Sequence, residues 1–408
     1  MIQKFALRHG ARVRAMALPQ LATAILAGDV SAMGSHPARL SRVLHMPETM
    51  LVEALIDIRN NRLGAALERV DALLAVKPDF RLAQLVRGDL LMARARPIPT
   101  LGAADAPADR LNDLRDEARA RLTRYTLQPP KDRVPKYLLR LQPEQRYAVV
   151  VDTASSTLYL FENRDGTPRY LTDYYITVGK NGTNKLREGD KKTPLGVYHV
   201  TSELPRAKLD AFYGSGAFPL SYPNEWDARQ GRNGHGIWLH GTPRDTYSRP
   251  PRASDGCVVL ANEDLDELAK RVQIGLTPVI IADHVDWIDA SMAQALRAGL
   301  SERLERWRAD WEGRNTERYL QYYARSFAAE NMNLAGWSAQ KRRVNGAKEW
   351  IKVRLSAVSM FLYPGRDDLA VISFFQDYSS SNLSNKMRKR QYWIREGGIW
   401  KILYEGAG

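Results

Sequence analysis

The chain has 408 residues, 44% of them hydrophobic, which fits two or three globular domains with sizeable cores rather than a disordered or fibrous chain. Its 60 Lys and Arg against 46 Asp and Glu leave a formal charge of +14, suited to an anionic partner; the basic residues are scattered without a recognition-helix, zinc-finger or RNA-binding signature, so nucleic acid is not expected. A single cysteine excludes an intramolecular disulfide, and no run of 18 or more apolar residues is present to span a membrane.

Residues 1–35 open with Lys4, Arg8, Arg12 and Arg14 and continue into the mostly apolar stretch Ala15 to Ala27, which Pro19 and Gln20 interrupt. A basic start followed by a short apolar run resembles a secretory signal, which implies a periplasmic or cell-envelope location; a plain N-terminal tail is the alternative. From 36 to 128 the pattern is helical. Leu51, Ala54, Leu55 and Ile58 share one face, Gly64 to Leu74 and Phe80 to Leu91 follow, and Lys77-Pro78-Asp79 separates the last two. The small residues and the boundary proline resemble one tetratricopeptide unit, with a plain helical hairpin as the alternative. Because roughly three such repeats are needed to stand alone, these helices are expected to pack on the rest of the chain or on a second copy, as a homodimer. A charged helix from Asp109 to Thr126 carries the apolar seam Leu111, Leu114, Ala118 and Leu122, and residues 129–144 read as a linker.

Residues 145–285 are mostly strand: Tyr147 to Asp152, Thr157 to Phe161, Tyr170 to Val178, Gly196 to Thr201, Ile237 to His240, Val258 to Leu260 and Pro278 to Ala282. A helix from Glu263 to Val272 is expected to be capped by Asn262. A lone cysteine is by default a small buried hydrophobe. Cys257, however, follows the flexible turn Ser254-Asp255-Gly256 and opens an apolar strand, while His240 ends the run Ile237-Trp238-Leu239 just before Gly241-Thr242-Pro243. Two strand ends thus offer a thiol and an imidazole. A thiol is largely protonated near neutral pH and needs an adjacent base to act as a nucleophile, so His240 is the candidate base. Trp238 shares the His240 face and is a candidate cleft wall; His235, five positions away, is expected to face the other side as a structural residue. The His, Asp and Glu residues here lack a ligand cluster, so neither metal nor cofactor is expected.

The His240-Gly241 and Ser254-Asp255-Gly256-Cys257 pattern comes with four further segments. They are Val178-Gly179-Lys180, Lys192-Thr193-Pro194-Leu195-Gly196-Val197-Tyr198, Gly216-Ala217-Phe218 and Tyr222-Pro223-Asn224. Together they resemble the YkuD-type L,D-transpeptidases, which act on bacterial peptidoglycan stem peptides. The resemblance implies Cys257 as nucleophile, His240 as base and the Gly241 carbonyl as the group orienting the imidazole. It further implies Ser254 in support and the amides of Gly256 and Cys257 as oxyanion donors. The sequence departs from the family where Asp255 and Val259 stand in place of a histidine and an arginine. That arginine is expected to meet a substrate carboxylate, so the role falls to the flanking Lys192, Arg244, Arg249 and Arg252.

After residue 285 a helix from Ala290 to Trp311 carries Leu296, Leu300, Leu304, Trp307 and Trp311, and a second is expected from Thr316 to Glu330. Strands follow at Ile351 to Leu362, Leu369 to Ser379, Met387 to Ile394 and Trp400 to Glu405. Helices before a curved antiparallel sheet resemble a nuclear transport factor 2-like cone. Lys386, Arg388, Lys389 and Arg390 would then line an anionic-ligand rim, or simply form a charged, solvated edge. The expected class is α+β in three parts: helical, mostly-β YkuD-like, and an α+β cone. That architecture resembles cell-shape L,D-carboxypeptidases, which trim tetrapeptide stems to tripeptides through a cysteine thioester. Two alternatives are an L,D-transpeptidase that forms 3-3 crosslinks or attaches or releases a wall-linked protein, and a non-catalytic protein that only grips stem peptides.

Overall fold

The structure, a computed structural model, describes residues 46–98, 100–102, 107–126, 129–329 and 332–408; the expected secretory signal lies outside the described residues. Helices Met46–Arg59, Leu63–Val76 and Arg81–Met92 form where the apolar spacing predicts them. Leu51, Ala54, Leu55 and Ile58 are all buried, as one face of a 3.6-residue period requires. The first helix stops at Asn60-Asn61, where Asn61 takes a φ of 58°. The second ends before Lys77-Pro78, since the residue preceding a proline is pushed out of the helical region. The helix Ala108–Thr126 joins the same core through Ala118 and Leu122.

Tyr247 and Ala261 of the middle region close that core, with the Phe80 and Tyr247 rings 4.6 Å apart. The helices therefore pack on their own chain. A buried ionic cluster crosses the same boundary, where Arg121 is bound by Glu48 and Glu117, and Arg124 lies 2.5 Å from Asp173. Desolvation offsets most of the attraction in such pairs, yet removing one partner costs about 3–5 kcal/mol, because the other charge is left buried and unpaired.

The middle region is built on a nine-stranded sheet. In spatial order its strands are Gly196–His199, Pro278–Ala282, Tyr147–Asp152, Thr157–Arg164, Thr167–Gly179, Val258–Leu260, Trp238–Gly241 and Ala217–Pro219, with Arg252–Ser254 paired to Thr167–Gly179. Tyr147–Asp152 and Pro278–Ala282 are near-continuous apolar runs because both faces are covered. Val149, Val151, Val279 and Ile281 face a core closed by Leu265 and Leu268. Ala148, Val150, Ile280 and Ala282 face a second core that continues into the C-terminal region through Trp307, Phe361 and Trp393. Val258–Leu260 runs parallel to Trp238–Gly241, with Val258 opposite Leu239 and Val259 opposite His240. The strand that Cys257 opens therefore lies beside the one that carries His240, with Cys257 one step before the Val258–Leu239 pair.

In the C-terminal region the helix Ala290–Glu312 buries Leu300, Leu304, Trp307 and Trp311. The antiparallel sheet runs Ile399–Ala407, Leu383–Glu396, Arg366–Ser380, Ile351–Tyr363, and its fifth strand is Leu138–Arg140. The segment read as a linker thus supplies an edge strand, anchored by the buried Leu138, Leu139 and Leu141. The second helix departs from expectation: it stops at Leu320, because Ile402 donates its amide to the Tyr322 carbonyl (2.7 Å) and Ala324 donates to the Ile402 carbonyl (2.8 Å). A further helix, Leu334–Gly346, was not expected and buries Trp337. Nor do the four basic residues form one rim. Strand alternation separates them: Lys389 is buried on Glu405 (2.7 Å), whereas Lys386 pairs with Asp377 (3.0 Å), Arg390 with Glu225 (2.9 Å), and Arg388 is exposed. No described helix is long and apolar enough to cross a membrane.

Candidate active site

His240 is buried, and its Nδ1 lies 2.7 Å from the carbonyl oxygen of Gly241. A carbonyl only accepts, so Nδ1 carries the hydrogen and Nε2 is left with a lone pair, as a general base needs. Gly241 must be glycine, since a Cβ there would run into Asn262 Oδ1 and the amide of Ser215. Asn262 is not the cap of its helix, which begins at Asn262 with Ala261 as cap. Its side chain accepts from the Ser215 amide (2.8 Å) and donates to the Thr242 carbonyl (3.0 Å), tying together the loops on either side of Gly241. The rings of Phe212 and Tyr213 flank the imidazole at 6.0 and 5.2 Å. In these dry surroundings burial pushes the imidazole down to about 4, reinforced by Arg249 and opposed by the Gly241 carbonyl.

Cys257 follows a turn that two hydroxyls hold. Ser254 Oγ donates to the Cys257 carbonyl (2.6 Å) and accepts from the Gly256 amide (3.1 Å); Thr193 Oγ1 donates to the Gly256 carbonyl (3.0 Å) and accepts from the Gly179 amide (2.9 Å). Gly256 has a φ of 126°, and a Cβ there would lie 2.7 Å from the Lys192 carbonyl oxygen, so glycine is required on both counts. The Gly256 amide is engaged by Ser254, which removes it as an oxyanion donor and leaves that expectation to the Cys257 amide. The thiol donates to the Gly236 carbonyl at 3.3 Å rather than to His240. Part of the residue reaches the surface, but burial of the sulfur pushes the thiol up to about 11, even though the Trp238 N–H favours the thiolate. Thiol and imidazole are therefore both neutral at rest, and thiolate forms only as the proton passes to the base.

Among the four basic candidates, Arg249 is the one whose charge bears on both Cys257 and His240. Its guanidinium lies 5.3 Å from the Phe212 ring, Nη2 donates to the Ala253 carbonyl, and the buried Nη1 has no hydrogen-bond partner among the described residues. Arg244 and Arg252 are exposed; Lys192 is half-buried and approaches the turn through its main chain. Trp238 packs on Tyr213 with centroids 4.8 Å apart and walls the same side as His240. Val259 is buried. His235 is not structural: it is exposed on a loop, 3.6 Å from Glu188, because the strand begins only at Trp238. Sequence reasoning missed Lys185, which is held by Asp190 at 2.8 Å and whose charge reaches the thiol. It also missed Lys180, 2.9 Å from Asp255, and the aromatic pair Phe212-Tyr213. The lysine-rich run from 180 to 192 was the available signal. No cluster of three or more His, Cys, Asp or Glu residues able to hold a metal occurs among the described residues.

Residues 146–281 match the YkuD family, the L,D-transpeptidase catalytic domain, and residues 299–406 match the Cds6 C-terminal NTF2-like domain. No curated protein matches the chain. Among solved structures it is similar to Bd1075 of Bdellovibrio bacteriovorus, at 31% identity over 68% of this chain and 98% of that one, with a TM-score of 0.60. It is also similar to the helical cell shape determining protein Pgp2 of Campylobacter jejuni, at 27% identity over 66% of this chain and 95% of that one, with a TM-score of 0.56. The chain therefore belongs to the YkuD-type L,D-transpeptidase family and carries a C-terminal NTF2-like domain.

Proposed function

We propose that this protein is a cysteine-dependent acyltransferase of peptidoglycan stem peptides in the periplasm, and that water is its preferred acceptor, making it an L,D-carboxypeptidase that trims tetrapeptides to tripeptides. The observation that carries the reading is the buried His240, fixed by the Gly241 carbonyl in the tautomer that accepts a proton, on the strand beside the one Cys257 opens. In the first step Sγ attacks the carbonyl carbon at the L-centre of meso-diaminopimelate while its proton moves to His240 Nε2. The oxyanion meets the main-chain N–H of Cys257. The bond to D-Ala then breaks, and its amine leaves with the proton from His240. Water, deprotonated by the same imidazole, opens the thioester to give the tripeptide carboxylate and regenerate the thiol.

Two features favour water over a second stem as acceptor: Val259 stands where crosslinking relatives carry an arginine, and the chain is similar to a protein named for determining helical cell shape. The test is the product from purified disaccharide-tetrapeptide. Disaccharide-tripeptide with an equivalent of free D-Ala is expected; predominantly 3-3 crosslinked dimer would make it a transpeptidase, and binding without turnover would make it a peptidoglycan-binding protein.

A further inference from the structure

The loop from Thr242 to Pro251 carries Arg249 to the site, and the helical region grips that loop residue by residue. Tyr247 packs its ring against Phe80, tilted by 44° with centroids 4.6 Å apart, and donates its amide to the Asp79 carbonyl at 3.4 Å. Ser248 donates its hydroxyl to Glu117 Oε1 at 2.6 Å. That carboxylate is buried and accepts two further bonds from Arg121, at 3.0 and 2.9 Å. Arg121 is itself bound by Glu48, and its guanidinium lies 3.9 Å from the centre of the Tyr175 ring. The Tyr175 hydroxyl donates to the Arg249 carbonyl (3.0 Å), and Thr177 Oγ1 reaches the carbonyls of Arg249 (3.1 Å) and Pro250 (2.8 Å). The Tyr175 hydroxyl on the Arg249 carbonyl thus leads to Arg121, and the preceding residue Ser248 leads to Glu117, while Thr177 holds the same carbonyl from the strand. Burial alone would weaken the Arg121 charge, but the two carboxylates outweigh it and hold the guanidinium protonated.

A surface made only for docking would be served by apolar contacts, because a buried ion pair adds little net stability. What such a pair does supply is a single permitted arrangement. The loop it fixes is the one whose arginine overlies Phe212, the ring next to His240.

We propose that the N-terminal helical region is a positioning element of the active site, in which the Arg121–Glu117 pair fixes Ser248 and so places the Arg249 guanidinium over Phe212, next to His240, from where it stabilises the Cys257 thiolate and receives a substrate carboxylate. Glu117 and Ser248 are positioning residues; Arg249 is the one that meets the reacting groups. The substrate half of this inference rests on the function proposed above, whereas the thiolate half does not.

The experiment uses the full chain, whose single cysteine makes the readout specific. The rate of alkylation by iodoacetamide is followed against pH in the wild type, Arg249→Gln, Ser248→Ala and the double variant, with KM and kcat on disaccharide-tetrapeptide and a melting curve for each. Besides the base His240, the charged and titratable groups bearing on the thiol are Arg249, Lys185, Asp255 and Tyr213, so the histidine, the lysine, the aspartate and the tyrosine form a constant background across the series. Arg249→Gln is expected to move the alkylation profile to higher pH and raise KM about ten-fold, the scale of one lost charge-assisted bond. Ser248→Ala should move both in the same direction by less, without a matching fall in melting temperature. The double variant should be no worse than Arg249→Gln alone, since two residues acting through one group are not additive. The inference is overturned if Ser248→Ala leaves the profile unchanged while Arg249→Gln shifts it, if the two shifts add, or if Arg249→Gln shifts nothing. A wild type that shows the expected alkylation series but no muropeptide turnover would instead refute the proposed function and leave the positioning role standing.

Discussion

The imidazole of His240 is oriented by its own chain neighbour: Nδ1 sits 2.7 Å from the carbonyl oxygen of Gly241. Among the described residues no carboxylate bonds to the ring, and burial keeps it neutral down to about pH 4.

His240→Ala should therefore lower kcat by about 10²- to 10⁴-fold, the usual contribution of a positioned base. The acid limb of kcat/KM in the wild type should lie well below the value of 6.5 ordinary for histidine. His235→Ala, on an exposed loop, should change neither activity nor melting temperature. A pH–rate profile with parallel melts checks all three, and an acid limb centred near 6.5 would contradict the buried, neutral imidazole.

Gly241→Ala should be nearly as damaging as loss of His240. The added methyl meets Asn262 Oδ1 and, at 2.9 Å, the Ser215 amide, so the carbonyl that holds the ring must shift. Overpacking of this kind costs about 1–3 kcal/mol, which should appear as a lowered melting temperature together with lost turnover. Wild-type activity in this variant would show that the imidazole does not need that carbonyl.

Among the basic residues on the flanking loops, single alanine variants should separate Arg249 from the rest. Removing it should raise KM about ten-fold, as for one charge-assisted bond. Arg244→Ala and Arg252→Ala, both exposed, should stay within about five-fold, because exposed charges contribute at most about 1 kcal/mol. Michaelis constants on tetrapeptide muropeptides decide this; equal effects at all three positions would point to a diffuse basic surface.

Stability should fall in acid for a reason specific to two histidines. His240 and His199 are each pushed down to about 4, the first by burial and the second by burial together with Arg390. With the folded value below the unfolded value of 6.5, the unfolded chain binds more protons between these limits. The contribution of each residue is thus complete above pH 6.5 and is lost as pH falls through 4. For the well-buried His240 that contribution amounts to roughly 3 kcal/mol. Denaturant melts at pH 7 and 4.5 should show a smaller acid loss in His240→Gln than in the wild type; identical losses would contradict the assignment.

Much of the site could be read from sequence because its signals are local. The one cysteine stands at the start of an apolar strand, and His240 at the end of another, so period-two reasoning alone places both at strand ends. What could not be read depends on distant partners. Arg249 differs from Arg244 and Arg252 in following Ser248, which is held by Glu117 131 positions away, and in having its carbonyl bound by Tyr175. The helix expected to reach Glu330 stops at Leu320 because Tyr322 and Ala324 bond to Ile402, a choice invisible to helical periodicity. His235 looked like part of a strand, but Gly234 and Gly236, at φ values of 102° and 73°, keep that segment irregular until Trp238.

The central claim is that the stem peptide becomes a thioester on Cys257. Enzyme mixed with disaccharide-tetrapeptide, quenched in acid during turnover and digested for mass spectrometry, tests it most directly. The account predicts an adduct of the disaccharide-tripeptide acyl group on the peptide containing Cys257, absent from Cys257→Ala, which should keep the wild-type melting temperature and release no D-Ala. Continued release of D-Ala by Cys257→Ala, or an acyl group found on any other residue, would contradict it.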